Sequence, residues 1–247
     1  MISSTQKFCM QFLKEIKALI IPLFLIPGFV SGQIKKPQNM PRYDNDLIHF
    51  GFILGVNSTN FSVKPIKEFH ALDTVYTVEP ESSAGFSLGI VSNLRISDNF
   101  DLRFVPDLSF CQRDLNFSMN NPGAQPVVIK KTVESTFINF PIDIKFKSNR
   151  INNYRMYVLG GFRYVMDLAS RKKDKDSKDK QPLRIESYDY GYEIGFGLDL
   201  YLVYVKISPE IKMFNGMKNL LVKDEYPYSN SIDRLYSKIF LFSLTFE

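Results

Sequence analysis

Tryptophan is absent from this 247-residue chain, and histidine and cysteine occur only twice each. That scarcity excludes several chemistries. Two cysteines, Cys9 and Cys111, cannot build a disulfide framework or a paired-cysteine metal site. No GxSxG elbow, HExxH motif or phosphate loop occurs, so no cofactor is implied. No nucleic-acid-binding motif occurs either, so the net charge of +5 does not point to nucleic acid. After the first thirty residues, no stretch approaches the ~18 consecutive apolar residues of a transmembrane helix.

What the chain has in excess is phenylalanine (22) and tyrosine (13), residues that favour strands and suit the aromatic girdles of a lipid-facing wall. Its start is a different kind of segment. Lys7, Lys14 and Lys17 precede an apolar run from Ala18 to Val30, broken by Pro22 and Pro27. The run is too short to cross a bilayer, which takes ~20 residues, and has the size of a signal-peptide core. Residues 1–32 are therefore expected to be a cleaved signal peptide, with Val30-Ser31-Gly32 at the cleavage site. Cys9 would leave with it, and Cys111 would remain as a lone thiol. Residues 33–46 are polar, contain two prolines, and read as a short periplasmic lead-in.

Residues 47–247 repeat with a period of two. Phe50, Phe52, Leu54 and Val56 alternate with His49, Gly51, Ile53 and Gly55. The clearest case sets Tyr188, Tyr190, Tyr192, Ile194, Phe196 and Leu198 against Asp189, Gly191, Glu193, Gly195, Gly197 and Asp199. Eight such strands are expected, starting near Leu47, Ser83, Phe100, Thr132, Tyr154, Tyr188, Val203 and Tyr236. A soluble sandwich could show the same alternation. Three features favour a membrane barrel instead. The apolar face carries side chains too large for a core only ~10 Å thick. The polar face mixes glycine with long charged residues, as a narrow interior requires. The connections alternate long (58–82, 112–131, 168–187, 215–234) and short, matching outer loops and periplasmic turns. The expectation is an all-β, eight-stranded antiparallel up-and-down transmembrane β-barrel in the bacterial outer membrane, with both termini periplasmic and outer-membrane lipids around it. Pro106, Pro141 and Pro209 fall mid-strand, where a missing donor calls for bulges.

An eight-stranded interior holds side chains and little else. The polar faces would place Arg103, Asp107, Asp143, Lys145, Arg155, Arg163, Glu193, Asp199, Lys206, Glu210 and Lys212 there. Buried charges persist only when paired, so these residues are expected to form a lumen charge network that leaves no diffusion pore. The loop 171–180 (RKKDKDSKDK) is a solvated segment or a contact for anionic lipopolysaccharide. A catalytic site can be drawn from His70, Glu68 or Asp73, and Ser82 or Ser83, but the spacing is not diagnostic. The chain is read as a non-enzyme.

The order of Arg103–Phe110 (RFVPDLSF), Asn139–Phe146 (NFPIDIKF) and Tyr157–Phe162 (YVLGGF) resembles the outer-membrane β-barrels widespread in Bacteroidota. Gly195–Tyr204 (GFGLDLYLVY), Lys206–Met213 (KISPEIKM) and Tyr43–Phe52 (YDNDLIHFGF) are similar to the PorT-like family, over essentially the whole mature chain. That resemblance implies a non-enzymatic component of the type IX secretion apparatus, working with other secretion-system proteins to export cargo with C-terminal signals. It implies no catalytic residue and no cofactor, and it makes the three mid-strand prolines family-typical. A lipid-modifying enzyme at the rim and an OmpX-like surface binding protein are the alternatives.

Overall fold

In a computed structural model, residues 37–66, 75–119, 127–169, 185–222 and 232–247 are described. The expected signal segment, His70 and the basic loop 171–180 lie outside the described residues. Ten strands form one antiparallel sheet: β1 (Ile48–Pro65), β2 (Val75–Glu81), β3 (Ser83–Arg95), β4 (Phe100–Phe104), β5 (Asp107–Met119), β6 (Val127–Lys147), β7 (Tyr154–Asp167), β8 (Tyr188–Tyr201), β9 (Lys206–Gly216) and β10 (Ile232–Phe246). Pairing runs from β1 through β10, β9, β8 and β7 to β6. From there β6 pairs with both β4 and β5, these pair with β3, and β3 pairs with β1. Gly55 of β1 is thus flanked by Ser243 of β10 on one side and Ser87 of β3 on the other.

Ten strands stand where eight were expected. β2 lies in the expected long connection 58–82, and the strand expected from Phe100 is divided into β4 and β5. The β2–β3 run is interrupted at Ser82. Glu81 faces Asp114 while Phe86 faces Phe110, so five steps along one strand match four along its partner and one extra residue is inserted. The break between β4 and β5 falls at Val105-Pro106. The expected bulges at Pro106, Pro141 and Pro209 are not found. Phe104 faces Ile142 and Asp107 faces Asn139, three steps on each strand, so the register passes Pro106 unshifted. Pro141 faces Arg163, and Pro209 faces Leu244. On the far side of Pro209 the β8–β9 ladder resumes in register, from Gly197 facing Glu210 to Leu200 facing Ile207, three steps on each strand. A proline lacks the donor but keeps the acceptor, and Pro106 O accepts from Ile90 N at 3.0 Å. By the same register, Pro106 and Pro141 fall in one ladder gap between β4–β5 and β6, so a single interruption accommodates both.

The sheet is inside-out. Phe50, Phe52, Leu54, Val56, Ile142, Ile144, Met156, Phe162, Ile194 and Phe196 are exposed, while the charged residues between them are buried. Three connections are short: those between β3 and β4, β6 and β7, and β8 and β9. The strands run further toward the opposite, loop end than expected. β1 has 18 residues and β6 has 21, where ~9–11 cross a bilayer. The long connections therefore begin later than residues 58 and 112.

Along this extension the alternation changes sign. On β1, Phe61 is buried while Ser62 and Lys64 are exposed. On β5, Leu115 and Phe117 are buried, whereas Leu108 and Phe110, nearer the turn end, lie on the other face. Phe61, Leu115, Phe117, Leu220, Leu221, Ile232 and Leu235 pack together inside the loop end. Beneath them Cys111, Phe137, Val165, Phe214 and Ile239 form a second apolar layer. The inner face is therefore polar only in part.

Candidate functional site

The strand period places every second residue on the inner face, and all eleven charged residues expected there are buried. Arg103 donates to Glu210 at 2.7 Å and to Thr245 Oγ1 at 3.0 Å, and Thr245 donates in turn to Glu210 at 2.8 Å. Lys145 donates to Asp199 at 2.8 Å, and Ser208 donates to the same carboxylate at 2.7 Å. Lys145 Nζ also stands 3.6 Å from the centroid of the Tyr157 ring. Lys212 bridges Asp143 at 3.2 Å and Glu193 at 3.5 Å, and Arg163 pairs with Glu193 as well. Asp107 is held by neutral donors, Asn139 Nδ2 at 2.7 Å and Ser109 Oγ at 2.8 Å. Glycines make room for this packing. A Cβ on Gly161 would strike Ile142 O and the Asp143 carboxylate.

Two of the eleven have, among the described residues, ion-pair partners only outside the expected set. Arg155 donates to Asp44 at 3.0 Å, and Lys206 pairs with the terminal Glu247. Both partners belong to a closure at the turn end built from the lead-in and the residue that follows β10. A single 3-10 turn at Tyr43–Asn45 folds this segment across the sheet end. Its Asp44 takes Arg155, Arg150 at 3.3 Å and the Tyr201 hydroxyl at 3.2 Å. Asn39 donates through its side chain to Tyr201 O at 3.0 Å and through its backbone N–H to Asn153 Oδ1 at 2.8 Å. Tyr43 stacks on His49 with centroids 4.0 Å apart, and Lys206 Nζ lies 4.6 Å from its ring.

Electrostatics at this closure follow from burial and neighbours. Burial and the Glu247 charge push the Tyr43 hydroxyl well above its ordinary range. Burial works against ionising Asp44, yet Arg155 and Arg150 hold its carboxyl below the usual carboxylate range. Burial likewise opposes ionising Glu247, but Lys206, then Arg103 and Lys145, hold it down to about 2.

Sequence reasoning missed Asn39, Tyr43, Asp44, Arg150, Tyr201 and Glu247. A polar lead-in has no period, so nothing in it says which side chains fold back. Asp101, Arg113, Lys147 and Asp167 are also buried charged residues on the inner face. Asp101 pairs with Lys147 at 2.5 Å, and Arg113 with Asp167 at 3.7 Å. Strand alternation carried to the strand ends would have found these four. Among the described residues no cluster of histidine, cysteine and acid side chains could hold a metal ion.

An antiparallel sheet with a lipid-type exterior and an ion-paired interior defines the class of outer-membrane β-barrel proteins. A family model described as outer membrane protein beta-barrel domain matches residues 35–222. The chain belongs to that family, and the outer membrane is its location. Neisserial surface protein A is similar at 10% identity and a TM-score of 0.41, covering 81% of this chain and 98% of its own. OprG of Pseudomonas aeruginosa has 13% identity and a TM-score of 0.39, with 81% and 92% covered. Ail of Yersinia pestis has 14% identity and a TM-score of 0.36, with 81% and 98% covered. No curated protein matches the chain by sequence.

Proposed function

We propose that this chain is a closed transmembrane barrel of eight wall strands, with β2–β3 and β4–β5 each acting as one, and that it is a non-enzymatic component of the type IX secretion apparatus. Both termini face the periplasm, and the lead-in closes that end. The observation that carries a non-conducting role is the filled interior. Ion pairs from Arg103–Glu210 to Lys212–Glu193 occupy its middle, and two apolar layers occupy its loop end. A filled barrel does its work by holding partners at its turns and rims. The secretion role is supported by the resemblance of its strand motifs to PorT-like proteins. In a strain lacking this gene, proteins with C-terminal export signals should accumulate inside the cell, and a wild-type copy should restore their release. Normal release without the gene overturns the reading.

A second reading, an OmpX-like surface protein, is favoured by one observation. β1 and β6 are about twice the length a bilayer needs, which raises sheet edges above the membrane. Intact secretion in the deletion strain, with loss of surface binding, selects it.

A further inference from the structure

The outward side of the β1–β10 pair carries an unusual set of side chains above the apolar belt. Lys64 stands directly opposite Arg234, Ser62 opposite Tyr236, and Asn60 opposite Lys238. The next residue down on β10, Phe240, is exposed toward lipid. Two cations facing each other across neighbouring strands repel, which disfavours this register unless an anion lies between them. Among the described residues, Lys64 and Lys238 have no carboxylate partner. Their ammonium groups lie 5.6 Å from the centroid of the Tyr236 ring and 5.3 Å from that of Phe240. Arg234 has one acid neighbour, Asp233, at 3.5 Å.

Other loop-end cations differ. Lys130 is matched by Glu81 at 2.9 Å and Asp114 at 3.1 Å, and Lys218 by Glu186 at 3.2 Å. Among the described residues, no acceptor-only side chain stands between the three cations on the outward side, Asp233 lying beside Arg234. Serine, tyrosine and asparagine lie between the cations. Asn60 Oδ1 is already taken by the N–H of Phe61 at 2.8 Å, which leaves its NH2 to donate.

We propose that this seam binds the phosphate of an anionic lipid head group, with Lys64 and Arg234 on either side of it and Lys238 nearer the acyl chains. Lys238 lies one register step above the lipid-facing Phe240, and Lys64 and Arg234 lie two steps further up, so the cations and the neutral donors between them span the level at which a membrane presents phosphate. The proposal rests on the barrel spanning the membrane.

The test uses the full mature protein in non-ionic maltoside micelles, where orientation plays no part. Phosphatidic acid, phosphatidylcholine and inorganic phosphate are titrated separately, and the thermal unfolding midpoint is followed by circular dichroism. Phosphatidic acid should raise the midpoint of the native protein. The variant Lys64→Gln/Arg234→Gln/Lys238→Gln should need about 100-fold more of it, near fivefold for each cation removed. Lys130→Gln/Lys218→Gln should respond as the native protein does. If the triple variant does not fold, Lys238→Gln alone should show the fivefold change. An unchanged response in the seam variants, an equal loss in the control, or the same shift from inorganic phosphate overturns the proposal. A failed secretion phenotype would leave these titrations untouched, so the two readings fail separately.

Discussion

The hydroxyl of Tyr43, five residues before β1, donates to Oε2 of Glu247, the last residue of the chain, at 2.5 Å. The two ends of the folded unit are thus joined by a side-chain bond as well as by the β1–β10 ladder. Glu247 also takes Lys206, so removing its charge leaves a buried ammonium unpaired.

This gives a pH prediction. Glu247 is held at about 2, below its ordinary 4.5. A depressed carboxyl stabilises the fold above the unfolded value, and that contribution is lost as pH falls toward the folded one. Glu247→Gln should cost roughly 3 kcal/mol at neutral pH. The gap to the native protein should close between about pH 5 and 2. Urea unfolding in micelles across that range, followed by circular dichroism because the chain has no tryptophan, measures it.

Arg163 pairs with Glu193, a fully buried carboxylate shared with Lys212. Arg163→Met should destabilise by about 3–5 kcal/mol, since it strips one partner from a buried charge. Arg163→Met/Glu193→Leu should recover part of that loss. A double variant no better than the single one would contradict the pairing.

Gly160 and Gly161 are adjacent and should behave oppositely. A Cβ on Gly161 collides with Ile142 O and Asp143, while one on Gly160 meets nothing nearer than Glu193 O at 3.8 Å. Gly161→Ala should cost about 1–3 kcal/mol, and Gly160→Ala should stay within about 0.5 kcal/mol of the native protein. Heat-modifiable gel mobility separates the two outcomes.

Cys111 lies in the second apolar layer at 8% exposure. In the folded protein it should resist a bulky maleimide and react fully in urea. Planar bilayers holding the same protein should show no conductance steps. Rapid labelling, or steps of porin size, would mean that the interior opens.

Much of the fold was legible because a strand writes its two faces at a period of two. Phe50 to Val56 and Tyr188 to Leu200 are readable from alternation alone, and so is the shared face of Arg103, Lys145, Glu193 and Lys212. Alternation gives the face but not its environment. Beyond Val56 the apolar residues cross to the inner side, at Phe61, and the expected strand stops where the sign changes. Alternation is also blind to a gap without a slip. Pro106 and Pro141 share one interruption in an unshifted register, which only the pairing of β5 with β6 reveals. The closure by Asn39, Tyr43 and Asp44 belongs to a segment with no period.

The change of sign has a mechanical consequence. Sliding the sheet toward its loop end by one register step, about 7 Å along the strand, would lift Phe240 into water. Sliding it the other way would drown Lys238 and Asn60 in hydrocarbon. Both moves are uphill, so the immersion depth of this protein is written into its own strands. A bilayer of another thickness has to bend to meet it.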